Sequence, residues 1–131
     1  MTLSTTGIDN EPHAAAVYFV ASEILYLYFF SDPKSQHSQD VMNNPNAAIA
    51  IYPDCRDWRD IHGLQMRGVV RVVKEKEEWD AGWKNYATKF PFVADLQAIV
   101  RQNTLYVFIP DWVRLVDNRR GFGHKEEWSL P

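Results

Sequence analysis

The chain has 131 residues, the span of one ordinary domain over 1–131 at the usual allowance of roughly 100–200 residues. Its composition, 46% hydrophobic, 14% aromatic and 24% charged, is too apolar for a disordered chain and too interrupted by charge for a membrane protein. Lys+Arg 14 against Asp+Glu 17 gives a formal charge of -3, so there is no surplus of positive charge to neutralise a run of phosphates, which argues against nucleic acid as a partner.

Thr2 to Thr6 is β-branched at alternating places and is followed by turn chemistry at Gly7-Ile8-Asp9-Asn10-Glu11-Pro12 and a mostly apolar strand over His13 to Val20, which together read as a hairpin. Ile24 to Phe30 is aromatic and aliphatic throughout, as expected of a central strand covered on both faces. The polar run Ser31 to Ser38 follows, then one or two helical turns over Gln39 to Asn44, stopped before Pro45. Ala47 to Tyr52 and Ile61 to Val73 read as strands joined by a charged hairpin end, and Gly63 and Gly68 inside the second mark a bulge or a close approach.

At Lys74 the period changes. Trp79, Trp83, Tyr86 and Phe90 recur at four, three and four residues, an aromatic stripe on one helical face that amphipathic packing alone accounts for. Pro91 ends this helix, and Phe92, Leu96 and Ile99 suggest a second, shorter one. Thr104 to Pro110 and Trp112 to Val116 return to strand, and Asp117 to Pro131 reads as a polar tail. About six or seven strands with a helical insertion near residues 74–100 predict a mainly β fold, a small antiparallel barrel or curled sheet whose spare aromatics are left for a partner subunit.

The one cysteine, Cys55, excludes an internal disulfide and any cysteine-rich zinc site, and no two of His13, His37, His62 and His124 have metal-ligand spacing, so no metal is expected. A reducing cytoplasm fits this cysteine usage, and Met1 to Gly7 has neither the basic start nor the apolar run of a secretory leader. No stretch reaches the ~18 apolar residues of a membrane helix. Hydrolase elbows, phosphate loops and dinucleotide fingerprints are absent. One segment stands out: Ser31-Asp32-Pro33-Lys34-Ser35-Gln36-His37-Ser38 gathers hydroxyls, an amide, a lysine and a histidine ahead of a helix, where N–H groups and the helix dipole favour a phosphate. The same residues also read as a solvated loop with capping serines.

Thr5-Thr6 with Asp9, Glu11 to Val20, Leu27 to His37-Ser38, Asn44-Pro45-Asn46-Ala47-Ala48-Ile49-Ala50-Ile51 and Ile61-His62-Gly63-Leu64-Gln65-Met66-Arg67-Gly68 resemble, in order and spacing, the successive signatures of the pyridoxamine 5'-phosphate oxidase-like, FMN-binding split-barrel family. The resemblance implies an antiparallel split β-barrel and a homodimer with FMN at the subunit interface. It places His13, Ala14, Ala15, Ala16 and Val17 along the flavin ring, the phosphate at Ser31, Lys34, Ser35, Gln36 and His37, and Gln65 against the flavin or substrate. Trp128, with Arg119 or Arg120, would fold over the ring of the other subunit. Family members commonly carry an arginine where Gln36 stands, so this loop offers less charge than the pattern. The chain also lacks the long basic C-terminal strand pattern of true pyridoxamine phosphate oxidases. The implied activity is hydride transfer between a small-molecule substrate and FMN. A non-catalytic carrier of flavin, haem or deazaflavin is the alternative, with His124 or His37 as the iron ligand.

Overall fold

A computed structural model describes residues Met1–Pro131. Its strands are β1 (Thr2–Thr6), β2 (Pro12–Ala16), β3 (Val20–Ala21), β4 (Leu27–Ser31), β5 (Asn46–Ile51), β6 (His62–Val72), β7 (Thr104–Asp117) and β8 (Lys125–Ser129). Helix α1 (Gln36–Asn43) lies between β4 and β5, and α2 (Lys76–Lys89) and α3 (Gln97–Gln102) lie between β6 and β7. All the strands belong to one antiparallel sheet in the order β2-β1-β5-β6-β7-β4-β3, with β8 paired to β7. No helix is long and apolar enough to cross a membrane.

The sheet is built around β7. Its first half pairs with β4, its second half with β8, and β6 runs along its whole length. The change of neighbour falls at a bulge. Gly68 pairs with Pro110 and Arg67 with Trp112, so Asp111 is the extra residue. Pro110, which has no N–H to give a ladder, is tolerated at such a place. Expecting two strands on either side of Asp111 is thus corrected to one bent strand: the bulge absorbs the irregularity that the proline signals in the sequence.

Strand β4 is covered on both faces. Leu27 and Phe29 join a cluster with Leu3, Ile49, Met66 and Phe108, while Phe30 meets Val107 and the helix α2 on the other side. The rings of Trp79, Trp83 and Tyr86 lie 6.0, 5.7 and 5.1 Å from that of Phe30, so the aromatic stripe is packing. Two sequence expectations need correcting here. Ile24 and Leu25 are exposed and precede β4, with Leu25 at a positive φ of 64° that a strand cannot hold. The supposed polar tail carries β8, in which Lys125, Glu127 and Ser129 face water while Glu126 and Trp128 lie opposite Leu115 and Val113 of β7.

Gly68 has a strict steric role. A Cβ there would lie 2.1 Å from the carbonyl oxygen of Ile109 and 2.8 Å from Cα of Pro110, both backbone atoms that the bulge holds in place. Gly68→Ala should therefore cost about 3 kcal/mol or more of unfolding free energy in a urea titration. A loss below about 1 kcal/mol would mean that the bulge is soft.

Candidate functional site

Residues directly opposite each other on neighbouring strands point to the same side of a sheet. The register therefore lays out two rows on the face turned away from the core. One runs Ala16, Thr2, Ala50, Gln65, Arg114, and the other Ala14, Ser4, Ala48, Arg67, Trp112. Across β2, β1 and β5 every member is alanine, serine or threonine, which leaves a flat floor. At β6 and β7 the floor meets a polar wall. Arg114 donates to Gln65 Oε1 at 3.3 Å and to Glu127 at 2.7 Å, and the guanidiniums of Arg114 and Arg67 sit 4.9 and 5.6 Å from the centre of the Trp112 ring.

β2 is a free edge. Met1 and Val17 exchange both backbone hydrogen bonds, and Gly7 N–H donates to Glu11, so by antiparallel alternation the N–H and C=O groups of Ala14 and Ala16 point outward. Pro12, also in an outward-facing place, exposes no donor. Of the residues expected along a flavin, Ala14, Ala16 and Gln65 thus share one face, His13 and Ala15 point to the other, and Val17 lies just past the strand. Trp128 pairs with Val113 on the core side, in an apolar cleft with Leu25, Leu64, Leu115 and Leu130, away from the floor. His124 Nε2 is held by Glu126 at 2.9 Å.

The second part of the site is the start of α1. Ser35 caps the helix by accepting from Ser38 N–H, and His37 Nε2 bonds to the hydroxyl of Ser31 and, at 3.2 Å, to that of Ser35. The first N–H groups of a helix have no partner within it. Ser38 and Gln39 find theirs in Ser35, and those of Gln36 and His37 stay free. Ser31, Ser35 and His37 therefore come together as the sequence suggests, beside two free N–H donors. Lys34 is exposed and its ammonium makes no ion pair. Burial pushes His37 below the ordinary 6.5 of a histidine, against the opposing pull of Asp40.

The side chain of Gln36, expected at the phosphate, turns back along the helix. Its amide donates at 2.9 Å to Asp40, one helical turn on. Asp40 is 2% exposed and also accepts from Thr5 Oγ1 and His13 Nδ1, each at 2.7 Å. An ionised carboxylate only accepts, so His13 carries its proton on Nδ1 and leaves Nε2 free. The ring lies against Gly7, where a methyl group would meet His13 Cε1 at 3.0 Å. Burial alone would raise the Asp40 carboxyl, but the donors Thr5, Gln36 and His13 outweigh it and hold it below its usual 3.8. Asp40 was missed in the sequence. Its one signal is the i, i+4 spacing from Gln36, which joins an amide to a carboxylate on one helical face. No three of the His, Cys, Asp and Glu side chains converge on a point.

Comparison with known proteins gives three results. Residues 1–117 match the family model described as pyridoxamine 5'-phosphate oxidase. The UPF0306 protein YhbP of Salmonella schwarzengrund is 32% identical over 117 residues, covering 88% of this chain and 74% of that protein. Among solved structures, a haem-binding protein from Mycobacterium smegmatis superposes with a TM-score of 0.80 at 17% identity over 98% of this chain. This chain spans about half of that one, 51%. HutZ, the haem storage protein of Vibrio cholerae, does so with a TM-score of 0.72 at 17% identity, covering 83% of this chain and 79% of that one. At such identities the two structures establish the fold alone.

The titrating groups at α1 make stability depend on pH in a stated direction. His37 sits below 6.5 when folded, so between that lowered value and 6.5 the unfolded chain binds more protons, and stability is lost as pH falls through this window. Asp40 sits below 3.8, so its contribution persists until more acid conditions. The thermal midpoint should fall between about pH 7 and pH 5, and His37→Asn should flatten that fall. An unchanged slope in the variant would remove His37 as its source.

Proposed function

The chain belongs to the pyridoxamine 5'-phosphate oxidase-like family, and from that premise we propose that it binds FMN across β2, β1, β5 and β6 and acts as a homodimeric oxidoreductase on a small molecule. The observation that carries this reading is the floor of six small side chains. It is flat enough for a fused ring, lies beside outward-facing backbone groups on β2 and ends at the amide of Gln65. The donor set fits the two ends of a flavin mononucleotide. Ala14, Ala16, Ala48 and Ala50 would lie under the ring, Gln65 and the β2 backbone would meet its polar edge, and the N–H groups of Gln36 and His37 with Ser31, Ser35 and Lys34 would hold the phosphate.

When bound, FMN supplies the hydride chemistry, which explains why no acid–base pair need appear in the sequence. The chain's own part is orientation and shape. Gln65 is held by Arg114, which Glu127 holds in turn, so the amide presents itself to a ligand in one direction. The free β2 edge and the open apolar cleft at Trp128 are surfaces that a second copy would cover.

A haem-binding role is the second reading, favoured by the likeness to haem-binding and haem-storage proteins. It would draw on His124 once released from Glu126.

The absorption spectrum of the purified protein separates the two, together with the mass of any molecule released on denaturation. A two-banded yellow spectrum with FMN released is expected. Ala50→Trp, which fills the floor without entering the core, should weaken flavin binding at least about tenfold with the thermal midpoint little changed. A strong haem band lost in His124→Ala would move the assignment to haem. A colourless protein that takes up no added flavin and no haem would overturn both.

A further inference from the structure

We infer that Asp40 sets how much negative charge the start of α1 accepts at the polar end of its ligand. The inference rests on the flavin reading of the site and goes beyond it by naming the class of flavin. A phosphate monoester near neutral pH is mostly a dianion, because its second ionisation lies near pH 6. A site built for it supplies fixed positive charge. Here the carboxylate of Asp40 lies one helical turn behind the free N–H groups of Gln36 and His37, and it is already ionised, buried and furnished with three donors.

Two consequences follow from the same contacts. The side-chain donors of Gln36, in the first turn of α1, and of His13, on β2, are turned to Asp40 and so do not serve the ligand. The carboxylate also repels a second anion through a part-buried medium, where charges one turn apart interact far more strongly than in water. Lys34, exposed on its loop, is the one cation in the segment from Ser31 to Ser38, and the carboxylate of Asp32, two residues before it, accepts from its backbone N–H at 2.8 Å. His37 adds no charge while burial keeps it neutral. The cradle therefore offers hydroxyls and N–H groups without net positive charge. That suits a flavin whose ribityl end is uncharged or singly charged, riboflavin being the simplest, at least as well as dianionic FMN.

Fluorescence titration of flavin-free protein near pH 7.5 with FMN and with riboflavin tests this without any assumed substrate. In the unaltered protein the two affinities should agree within about threefold. Asp40→Asn removes the charge and keeps the shape, and it should raise the ratio of FMN to riboflavin affinity about tenfold. Gln36→Arg on its own should move the ratio little, because Asp40 at i+4 captures the guanidinium, whereas the same change combined with Asp40→Asn should move it further than either alone. A ratio above about thirty in the unaltered protein overturns the inference, and so does an unchanged ratio in Asp40→Asn. If Asp40→Asn does not fold, the unaltered ratio and exposed Gln36→Arg still decide, since a large gain from the arginine alone would show that Asp40 does not control the site. Failure of both flavins to bind the unaltered protein overturns the flavin reading itself, a result distinct from flavin binding with the wrong ratio.

Discussion

The ladder between β6 and β7 organises this molecule. β7 is long enough to serve two different neighbours in turn, β4 over its first half and β8 over its second, while β6 stays beside it throughout. A flat ribbon could not do this and also enclose a core. The bulge at Asp111, opposite Gly68, lets the strand bend where its neighbour changes, and the missing Cβ of Gly68 is what allows the Ile109 carbonyl so close. On one face the sheet closes over Phe29, Met66 and Phe108. On the other, Leu105 and Val107 meet the aromatic face of α2. The two rows of the candidate site are the outer surface of the same ladder, continued across β5, β1 and β2.

Helix α1 is tied to this sheet by charge as well as by packing. Val41 enters the core cluster, but Asp40 beside it is a buried carboxylate, which is costly unless every lone pair finds a donor. Thr5 on β1 and His13 on β2 supply two of the donors and Gln36 on the helix supplies the third. The arrangement fixes the orientation of α1 relative to the free sheet edge, because shifting the helix by one residue would strand the carboxylate without partners. Structural order and the proposed ligand preference would thereby be coupled, since the carboxylate that orients α1 also turns the Gln36 amide away from the helix start.

Much of this was legible in the sequence because the signals were local. Alternation at Thr2–Thr6, the apolar run ending at Phe30 and the change of period at Lys74 each follow from side-chain direction within one element. The series of motifs identified the family, and with it the split barrel. The start of α1 was legible in composition, and Ser31, Ser35 and His37 do meet there. What could not be read was pairing across distance. Nothing in the residues near Thr5 or His13 announces that both reach Asp40, and the tail after Asp117 reads as polar because β8 keeps one face in water. Facing was hidden for a similar reason. A list of consecutive residues from His13 to Val17 does not say that alternate members serve opposite sides, whereas the register with β1 does.

The two ends of the candidate site obey different physics, and this bears on how one fold comes to hold unlike prosthetic groups. The floor needs only small side chains and an exposed strand edge, so on the proposed reading it would accept a flat conjugated system with little regard to its chemistry. Polar groups are concentrated at α1, where Ser31, Ser35 and His37 lie beside two free N–H donors and would meet the polar arm of the proposed ligand. A change of one buried residue behind that turn alters the net charge offered without touching the floor. On the proposed reading, the ring would determine where a ligand lies, and the residues behind α1 would determine which ligand stays.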